Sequence, residues 1–395
     1  MESLTLISNP GSASRKYSIF NKSGKNLGNL HFEFDGNKIV CHVDNKSSVK
    51  TITADFENIS ESAYNISSIF EEHKIIKPKA KLERIGIRVV APSSYFLADR
   101  LLNEHSISLL SEINSRAPLH IEATLNEVKI LQDIFVDVPI IGISDSTFHA
   151  TKPDYNWNYA IPLEVADKLE IKRFGYHGIS ASSVMRQLYE FDTYHPNKLV
   201  ICHLGSGCSI TAIKDGKSVE TTMGYSPLEG LMMSSRSGSI DATALVNLKN
   251  SLDLDDEDLL TYLNNKSGLF GISGSSSDIR ELIKLEKADN YRAKLALAMF
   301  VNRIQKAIGQ MTADLDGIEG LIFTGTVGER SAIIRKRIID GLSSFGLVLN
   351  KSKNAECTSP KKLEVISPRT RQKTIYVIPA NEQNEMAMRI NKFKL

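Results

Sequence analysis

The chain has 395 residues, of which 42% are hydrophobic and 24% are charged, and its formal net charge is +2. This length exceeds what one ordinary hydrophobic core fills, so we expect two or three domains, and the composition excludes an intrinsically disordered chain. Lys and Arg are dispersed along the sequence, which excludes the basic stripe of a nucleic-acid-binding protein.

The sequence predicts a cytoplasmic protein without a membrane partner. Residues Met1–Ile7 lack the basic start and long apolar run of a signal peptide, and no window of about 18 apolar residues occurs. The four cysteines have no CxxC spacing, which favours reduced thiols over a disulfide frame or a zinc site.

The first part of the chain predicts strands joined by tight turns. Leu4–Ile7 is a predicted strand, and Asn9–Ser14 is the turn after it. Phe34–Asn37 contains Asp-Gly and predicts a hairpin between two alternating segments. Apolar residues at helical spacing then predict a helix across 59–70.

The same order begins again near residue 199. Leu199–Leu204 is a predicted buried strand, Gly205–Ser209 its turn, and Ile210–Ile213 the next strand, followed by an Asp215–Gly216 hairpin. The repetition predicts two similar α/β halves that face each other across a cleft. Long helices are predicted after the second copy, at Asp255–Asn264, Asn290–Leu315 and Ser331–Phe345. No low-complexity linker separates the halves, so we expect a compact junction.

Four Gly/Ser-rich segments are predicted to be turns at the ends of strands. Glycine lets successive backbone N–H groups converge on an anion, and the last of these segments opens a predicted helix whose N-terminal dipole favours phosphate. Together they predict a nucleotide or polyphosphate site, and they are Asn9–Ser14, Gly205–Ser209, Ser273–Ser277 and Thr324–Arg330. The chain has no P-loop signature, no dinucleotide-binding G-x-G-x-x-G and no protein-kinase motif set.

One arginine stands out in the segment Met223–Asp241. Arg236 lies among Gly, Ser and Met residues, and Glu229 is the only other charge before Asp241. Its planar fork of donors suits a carboxylate or a phosphate where water is scarce. A structural ion pair is the alternative interpretation.

Motifs in order along nearly the whole chain resemble the acetate kinase family, which comprises acetate and propionate kinases and belongs to the superfamily of sugar kinases, Hsp70 and actin. The resemblance rests on segments that are rich in Gly, Ser, His and Arg. They include Asn9–Lys16, Arg88-Val-Val90, Ala117-Pro-Leu-His120, Asp145–His149, Arg173–Ser180, His203–Gly207, Met223–Asp241, Ser267–Gly274, Asp278-Ile-Arg280, Phe323–Glu329 and Ile378–Glu382.

The resemblance implies an α/β fold of duplicated actin-like (ribonuclease H-like) domains with an interdomain active-site cleft. It implies an N-terminal domain of residues 1–144 plus 383–395 and a C-terminal nucleotide-binding domain of residues 145–382. It further implies ATP + acetate or propionate = ADP + acyl phosphate, by direct in-line transfer with Mg²⁺ (or Mn²⁺), in a homodimer that binds only small molecules.

The resemblance also implies roles for individual residues. Arg88, Asp145, His177 and Arg236 would be catalytic, and support for the phosphate would come from His120, His203, Ser12 and Ser14. The acyl pocket would be lined by Arg88, Val90, Leu119, Tyr176 and Pro227, and the metal would be held by Asn9 and Glu382. The nucleotide would contact Lys16, His203, Leu204, Gly205, Ser206, Gly207, Asp278, Ile279, Arg280, Gly325, Thr326, Val327 and Gly328.

Several departures from the family pattern leave the phosphoryl donor open. Ala91-Pro92-Ser93 replaces His-Gly-Gly, and Ser206 replaces Asn. Thr326 and Arg330 stand in the loop that the family has as Gly-Gly-Ile-Gly-Glu-Asn, so pyrophosphate is an alternative donor. A weakly catalytic nucleotide-binding relative of actin and Hsp70 is a second alternative. A sugar kinase is disfavoured because the predicted acyl pocket is apolar.

Overall fold

The structure is a computed structural model that describes residues 3–11, 14–78, 80–191, 195–368 and 373–395. Ser12, one of the predicted phosphate-loop residues, lies outside these residues. Leu119 lies in a helix, but its side chain is outside the described part of the structure. No helix in the described ranges has both the length and the apolar character needed to cross a membrane.

The chain divides into two compact units. The first consists of residues 1–147 and 381–395, and the second of residues 148–380. Each unit is built around one sheet. The domain bounds predicted from the sequence remain a prediction.

The sheet of the first unit has eight strands in the order β5-β4-β3-β2-β1-β6-β8-β7. Strands β1 to β5 form an antiparallel meander, and β1, β6 and β8 are parallel neighbours. Alternating and apolar residues place Leu6, Phe32 and Ile85 in its core, each at most 1% exposed. The strands are β1 (Ser3–Pro10), β2 (Ser14–Asn21), β3 (Asn26–Asp35), β4 (Lys38–Asp44), β5 (Val49–Thr53), β6 (Lys81–Val89), β7 (Arg100–Leu101) and β8 (Ile140–Ser144).

The sheet of the second unit repeats the central part of the first. Its order is β11-β10-β9-β12-β14-β13, with β9, β10 and β11 antiparallel and with β9, β12 and β14 parallel. This matches β3-β2-β1-β6-β8 in both order and direction, so the predicted duplication of an actin-like α/β fold is confirmed. The strands are β9 (Lys198–Leu204), β10 (Cys208–Lys214), β11 (Lys217–Thr221), β12 (Gly320–Thr324), β13 (Glu364–Val365) and β14 (Thr374–Val377).

Helices cover the sheets within each unit. In chain order they are α1 (Ser62–Glu72), α2 (Glu104–Glu112), α3 (Pro118–Ile134), α4 (Asp154–Trp157), α5 (Leu163–Lys168), α6 (Gly178–Phe191), α7 (Ala242–Ser251), α8 (Asp256–Asn265), α9 (Gly268–Ser273), α10 (Ile279–Lys287), α11 (Tyr291–Asp314), α12 (Gly325–Arg330), α13 (Ala332–Asp340), α14 (Lys351–Glu356) and α15 (Glu382–Lys392).

Most predicted elements are confirmed with small shifts of their ends. The predicted helices at 59–70, 255–264 and 290–315 correspond to α1, α8 and α11, and Asn290 caps α11 by accepting from the Ala293 N–H at 2.9 Å. The Asp215–Gly216 hairpin has positive φ at both residues, as a two-residue type I′ turn requires. Asn9 and Pro10 lie in β1, so the predicted turn begins two residues later than expected, at Gly11.

Three predictions about the second unit are wrong. Thr324–Arg330 is not a turn, because the chain passes from β12 directly into α12 through Gly325, at φ +78°. Ser273–Ser277 follows a helix rather than a strand, and Gly274 ends α9 in the left-handed conformation. The helix predicted for 331–345 ends at Asp340, and a separate 3₁₀ turn covers Ser343–Phe345.

Candidate functional site

In the first unit, the predicted catalytic pair lies at the carboxyl ends of two adjacent parallel strands. Arg88 is the penultimate residue of β6, and Asp145 follows β8. The Asp145 N–H donates to the Val89 carbonyl at 2.9 Å, so the two strand ends are held together. Open α/β sheets bind their ligands at this edge.

An ion pair joins these two residues. Arg88 Nη2 donates to Asp145 Oδ2 at 2.6 Å, and the Asp145 side chain is fully buried while that of Arg88 is 21% exposed. Arg88 Nε is buried without a hydrogen-bond partner among the described residues. The guanidinium is therefore fixed at one edge by protein and keeps donors that the fold does not use.

The charge state of Arg88 is secured by two carboxylates. Burial alone lowers the pKa of the guanidinium, but the negative charges of Asp145 and Glu382 outweigh it and leave the pKa above its usual value. Glu382 is the first residue of α15 and belongs to the first unit. The structure thus joins Arg88 to Asp145 and places Glu382 near enough for its charge to act on the guanidinium.

The β1–β2 hairpin holds the next predicted residues beside this edge. Asn9 pairs with Lys16 across the two strands, and β1 runs parallel to β6 with Ser8 opposite Ile87. Asn9 and Ser14 are partly exposed and Lys16 is exposed. Three polar side chains near one sheet edge are thus available to an anion or a cation.

Two further predicted residues of the first unit lie directly after β6 and in the first turn of α3. Val90 follows β6 directly and is 5% exposed. His120 lies in the first turn of α3, where its N–H donates to the Ala117 carbonyl at 3.1 Å and its carbonyl accepts from Thr124 Oγ1 at 3.0 Å. Val90 can supply an apolar wall, and His120 is held by the helix start.

In the second unit, the predicted histidines stack on each other. The rings of His177 and His203 lie 4.1 Å apart between centroids with an interplanar angle of 27°. Each ring is oriented by a serine: His177 Nδ1 lies 3.0 Å from Ser209 Oγ, and His203 Nδ1 lies 2.8 Å from Ser180 Oγ. The ring stack and the two Nδ1 contacts together fix the orientation of both imidazoles.

The backbone at His177 is strained. Its φ is +61°, a conformation that costs a non-glycine residue about 1–3 kcal/mol and that recurs at active sites. The residue stands directly before α6, which begins at Gly178. We interpret the strain as the cost of aiming the imidazole ring, because the Ser209 contact and the stacked ring of His203 determine its direction.

Gly207 is the point at which the histidine and the arginine of the second unit converge. A methyl group built on Gly207 would lie 3.2 Å from His177 Nε2 and 3.6 Å from Arg236 Nη1. Both polar groups therefore lie against this glycine, where any side chain would crowd the His177 ring. An imidazole and a guanidinium this close together can bind an anion jointly.

The loop that carries Arg236 folds back on itself. Arg236 Nη1 lies 3.4 Å from the Pro227 carbonyl, and the Met233 N–H donates to the Arg236 carbonyl at 3.0 Å. The Ser234 N–H donates to the Ser206 carbonyl at 3.2 Å, which fixes this loop to the Gly205–Gly207 turn. Arg236 thus lies in a fixed loop beside the Gly205–Gly207 turn.

The predicted acyl-pocket residues of the second unit are buried near the same loop. Tyr176 is 1% exposed and its hydroxyl donates to the Tyr225 carbonyl at 2.7 Å, while Pro227 is buried. The Tyr176 carbonyl is 3.0 Å from Nε2 of the buried His149. His149, the last residue of the Asp145–His149 motif, therefore supports the backbone at Tyr176.

A cavity of about 760 Å³ opens beside the Gly205–Gly207 turn. Its volume lies in the range that holds drug-sized ligands and cofactors. Apolar side chains line it together with polar and cationic groups at its rim. It is lined by the predicted residues Gly205, Ser206, Asp278, Ile279, Arg280, Thr326 and Val327, and also by Ser234, Ser277, Ile283, Lys284, Arg330, Ser331, Ala332, Ile333 and Thr358.

Two carboxylates shape the backbone around this cavity. Asp278 caps α10 by accepting from the Arg280 N–H at 2.7 Å, and it also binds the Arg280 guanidinium at 2.5 Å. Glu329 Oε1 accepts from the Gly325 N–H at 3.0 Å and from the Ala380 N–H at 2.9 Å. Gly325 is accordingly held where its neighbour Thr326 meets the cavity.

The predicted metal residues fit a hard cation that is held by few protein ligands. Asn9 offers an amide oxygen and Glu382 a carboxylate, the donor types that Mg²⁺ prefers. In the described ranges, no set of three or more His, Cys, Asp and Glu side chains is arranged to hold a metal by itself. A bound Mg²⁺ would therefore depend on water and substrate oxygens for most of its ligands.

Sequence reasoning missed the residues that orient the site. Ser180 and Ser209 fix the two histidine rings, and both lie within or next to motifs that the sequence singled out. Ile283 and Thr358 line the cavity, but they have no local signal, because distant segments bring them there.

Comparison with known proteins gives the same assignment. The model of the acetokinase family matches residues 4–388. The acetate kinase of Thermoanaerobacterium thermosaccharolyticum is 34% identical over 390 residues, covering 97% of this chain and 96% of the relative. That of Bacteroides thetaiotaomicron is 36% identical over 389 residues, with 96% of each covered.

Solved structures agree with the sequence comparisons. A propionate kinase from Francisella tularensis superposes with a TM-score of 0.87 at 32% identity, and the acetate kinase of Porphyromonas gingivalis with 0.85 at 30% identity. In both cases 98% of each chain is covered. The resemblance inferred from the motifs is confirmed: the chain belongs to the acetokinase family and is a phosphotransferase that acts on a carboxyl group.

Proposed function

We propose that this protein catalyses ATP + acetate = ADP + acetyl phosphate, and that it accepts propionate as well. The observation that carries the proposal is the convergence of His177 Nε2 and Arg236 Nη1 on Gly207, beside a cavity large enough for a nucleoside. The cavity would hold the base and ribose, and the terminal phosphates would lie within reach of His177 and Arg236.

The step is a single in-line displacement. A carboxylate oxygen of acetate attacks the γ-phosphorus, a new O–P bond forms, and the bond from the γ-phosphorus to the bridging oxygen breaks, so that ADP leaves with the electron pair. Two anions must approach each other in this step. Arg88 and Arg236 would supply the positive charge that makes the approach favourable, and His177 would donate to the equatorial oxygens.

Asp145 would act by orienting Arg88. Its buried carboxylate holds one edge of the guanidinium at 2.6 Å, so the donors that remain are directed rather than free to rotate. Positive charge fixed in advance costs no reorganisation at the moment of transfer. His120, His203, Ser12, Ser14 and Lys16 would complete the phosphate contacts.

We propose Mg²⁺ as the cation, with Asn9 and Glu382 as the residues that would hold it. When bound, it would supply charge neutralisation at the phosphate oxygens. Support for Glu382 comes from its charge, which helps to raise the pKa of the Arg88 guanidinium and therefore acts at the proposed site.

The cavity favours a nucleotide over pyrophosphate as donor. Pyrophosphate has no apolar part, whereas Ile279 and Ile283 line the cavity and are only 6% and 9% exposed. Thr326 and Arg330 lie at its edge and leave its volume at about 760 Å³. The departures from the family loop therefore do not fill the space that a nucleoside needs.

Acetate should be preferred over longer acids. Val90 is branched at Cβ and Tyr176 is fixed through its hydroxyl, so neither of these two residues can move aside easily for a longer acid. One methylene changes transition-state binding by only about 1–3 kcal/mol, which is why propionate should still react.

We further propose that the protein is a cytoplasmic homodimer, which rests on the family resemblance.

The deciding experiment traps acyl phosphate with hydroxylamine. Acetate, propionate and butyrate are each paired with ATP, GTP and pyrophosphate, and the hydroxamate is measured with and without Mg²⁺. We expect the highest rate with ATP, acetate and Mg²⁺. If hydroxamate forms with pyrophosphate but not with ATP or GTP, the proposed donor is wrong. If it forms with none of the pairs, the proposed reaction is wrong.

A stereochemical measurement tests the in-line step. ATP that is chiral at a γ-thiophosphate should give product with inverted configuration at phosphorus, because one displacement inverts it. Retention would require a phosphorylated enzyme intermediate and would contradict direct transfer.

A further inference from the structure

A buried ion pair lies beneath the β1–β2 hairpin of the first unit. Arg15 and Glu127 are 3% and 0% exposed, and Arg15 Nη1 donates to Glu127 Oε2. Arg15 Nε is buried without a hydrogen-bond partner among the described residues. A buried charged pair of this kind is usually no more stable than an apolar pair of the same size, so stability alone does not account for it.

Hydroxyl groups complete the surroundings of the Glu127 carboxylate. Ser8 Oγ donates to Oε1 at 2.7 Å, and the Tyr17 hydroxyl lies 3.3 Å from Oε2 and 2.9 Å from Ser62 Oγ. Ser8 is in β1, Tyr17 in β2 and Ser62 in α1, so one carboxylate joins the two strands of the hairpin to α3 and, through Tyr17, to α1.

The pair lies directly behind the residues that face the proposed phosphate. Successive side chains of a strand point to opposite faces, so Ser14 and Lys16 flank Arg15 on the outer face while Arg15 points into the core. Across the hairpin, Pro10 pairs with Arg15 and Asn9 pairs with Lys16. A shift of Arg15 would therefore move its neighbours on the site face.

The same pair also fixes α3. Glu127 lies seven residues after His120, two helical turns away, so both are on one face of the helix with Thr124 between them. Thr124 is 3% exposed and donates to the His120 carbonyl at 3.0 Å. Holding Glu127 therefore determines the rotation of α3, and with it the position of His120.

We propose that Arg15 and Glu127 form a positioning pair that sets the β1–β2 hairpin and the start of α3 in register for phosphoryl transfer. This inference rests on the proposed function for its catalytic consequence. The pair does not touch the substrate; it acts through Asn9, Lys16 and His120.

The charge of Glu127 depends on its partner. Burial raises the pKa of the carboxyl group, and Arg15 and the hydroxyls of Ser8 and Tyr17 lower it only in part. If Arg15 is replaced, the carboxyl group can take up a proton and keep its hydroxyl contacts. Variants of this pair can therefore fold, and their activity can be measured.

The test uses an apolar double variant, Arg15→Met with Glu127→Leu, and the conservative variant Glu127→Gln. Hydrogen exchange of the backbone amides at 14–18 and 119–122 is measured together with kcat and urea unfolding. In the double variant we expect exchange in both segments to be at least about tenfold faster and kcat to fall about tenfold to a hundredfold. The urea concentration at the midpoint of unfolding should be equal to or higher than that of the wild type. Glu127→Gln retains an acceptor oxygen, so its kcat should fall only about threefold.

Arg84→Met is the matched control. Arg84 donates to the carbonyls of Ile390 and Phe393 at 2.9 and 3.0 Å, so its replacement removes an arginine anchor at the end of α15 in the same unit and leaves the Arg15–Glu127 pair in place. It should lower stability and leave kcat unchanged. If the double variant is unfolded, exchange and kcat of Glu127→Gln decide.

Exchange in the two segments does not depend on the reaction. Unchanged exchange in the folded variants overturns the positioning role, even if the wild type makes no acyl phosphate. Faster exchange with an active wild type and unchanged kcat also overturns it. An inactive wild type with faster exchange in the variants rejects the proposed function and retains the mechanical coupling.

Discussion

Arg88 Nη2 donates to the fully buried Oδ2 of Asp145 at 2.6 Å, across the ends of two parallel strands. The two residues are 57 positions apart in sequence, and the pairing of β6 with β8 brings them together. A carboxylate buried this deeply is stabilised by its cationic partner, and the partner is fixed in return. Each residue thus holds the other in place, and loss of the Asp145 charge should release Arg88.

Asp145→Asn should lower kcat by about a hundredfold or more, because Arg88 then loses the charge that orients it. The KM for ATP should change little, since the cavity for the nucleoside lies in the second unit. Steady-state kinetics with both substrates, together with urea unfolding, check this prediction.

A suitable control is Asp44→Asn in the same unit. Asp44 accepts from Asn29 Nδ2 at 2.9 Å on β4, away from the strand ends that carry Arg88 and Asp145. This variant should keep its kcat. If Asp145→Asn behaved like Asp44→Asn, the proposed orienting role would be wrong.

Arg236→Ala should lower kcat by about 10³–10⁵, the loss typical of a missing arginine on a transferring phosphoryl group. Arg236→Lys should recover only part of the rate, because an ammonium group lacks the planar fork. Single-turnover kinetics and calorimetric binding of ADP separate a loss of chemistry from a loss of binding.

Arg303→Ala is the matched control for Arg236. Its Nη1 lies 3.4 Å from the Ser239 carbonyl, so it contacts the same loop from α11 without reaching Gly207. Its removal should leave kcat within about twofold of the wild type, as is usual away from special sites. Equal losses in both variants would show that the loop as a whole, rather than Arg236, is required.

The strands and hairpins were predictable because their signals are local. Asp215–Gly216 has the residues that a type I′ turn demands, and the buried run Leu199–Leu204 has the composition of a central strand. The elements that were predicted wrongly depend on distant or indirect contacts. The helix predicted for 331–345 ends early where Gln305 Nε2, from α11, donates to the carbonyls of Arg337 and Ile338 at 2.9 and 3.1 Å.

The site shows the same division. His177 and Arg236 could be identified from their motifs, and the structure brings both beside Gly207. The serine that orients His177 could not be predicted from the local pattern, because Ser209 lies on β10, 32 positions away. Thr324–Arg330 was predicted to be a turn because of its glycines. A helix forms there instead, and within it the Glu329 side chain accepts from the Gly325 N–H at 3.0 Å.

Filling the cavity should impair nucleotide binding selectively. Ala332→Trp places an indole in a cavity that Ile279 and Val327 also line. The KM for ATP should rise at least about tenfold, because the base loses its space, while the KM for acetate should stay within about twofold. Competition by ADP, measured at saturating acetate, checks the effect.

Ala244→Trp controls for the added indole. Ala244 is exposed on α7, and tryptophan there should leave both KM values unchanged. An unchanged KM for ATP in Ala332→Trp would mean that the nucleotide binds elsewhere.

Lys152 should give the stability of the protein a distinct pH dependence. Its residue is 4% exposed, and Nζ donates to the Arg173 carbonyl at 2.5 Å and lies 4.7 Å from the centre of the Trp157 ring. The pKa of this lysine is lowered to about 8, mainly by burial and in smaller part by the charge of Arg173, while the charge of Glu220 opposes the shift. In the unfolded chain a lysine titrates near pH 10.4.

Between about pH 8 and pH 10.4 the unfolded state therefore binds more protons at this group than the folded state does. The free energy of unfolding should rise with pH over this window, by up to about 3 kcal/mol, and the contribution should be constant below pH 8. Urea unfolding of the wild type and of Lys152→Met at pH 7.5, 8.5 and 9.5 isolates it. The stability of the wild type relative to the variant should increase along this series, because methionine has no proton to lose; a difference that stays flat or falls would show that Lys152 keeps its charge in the folded protein.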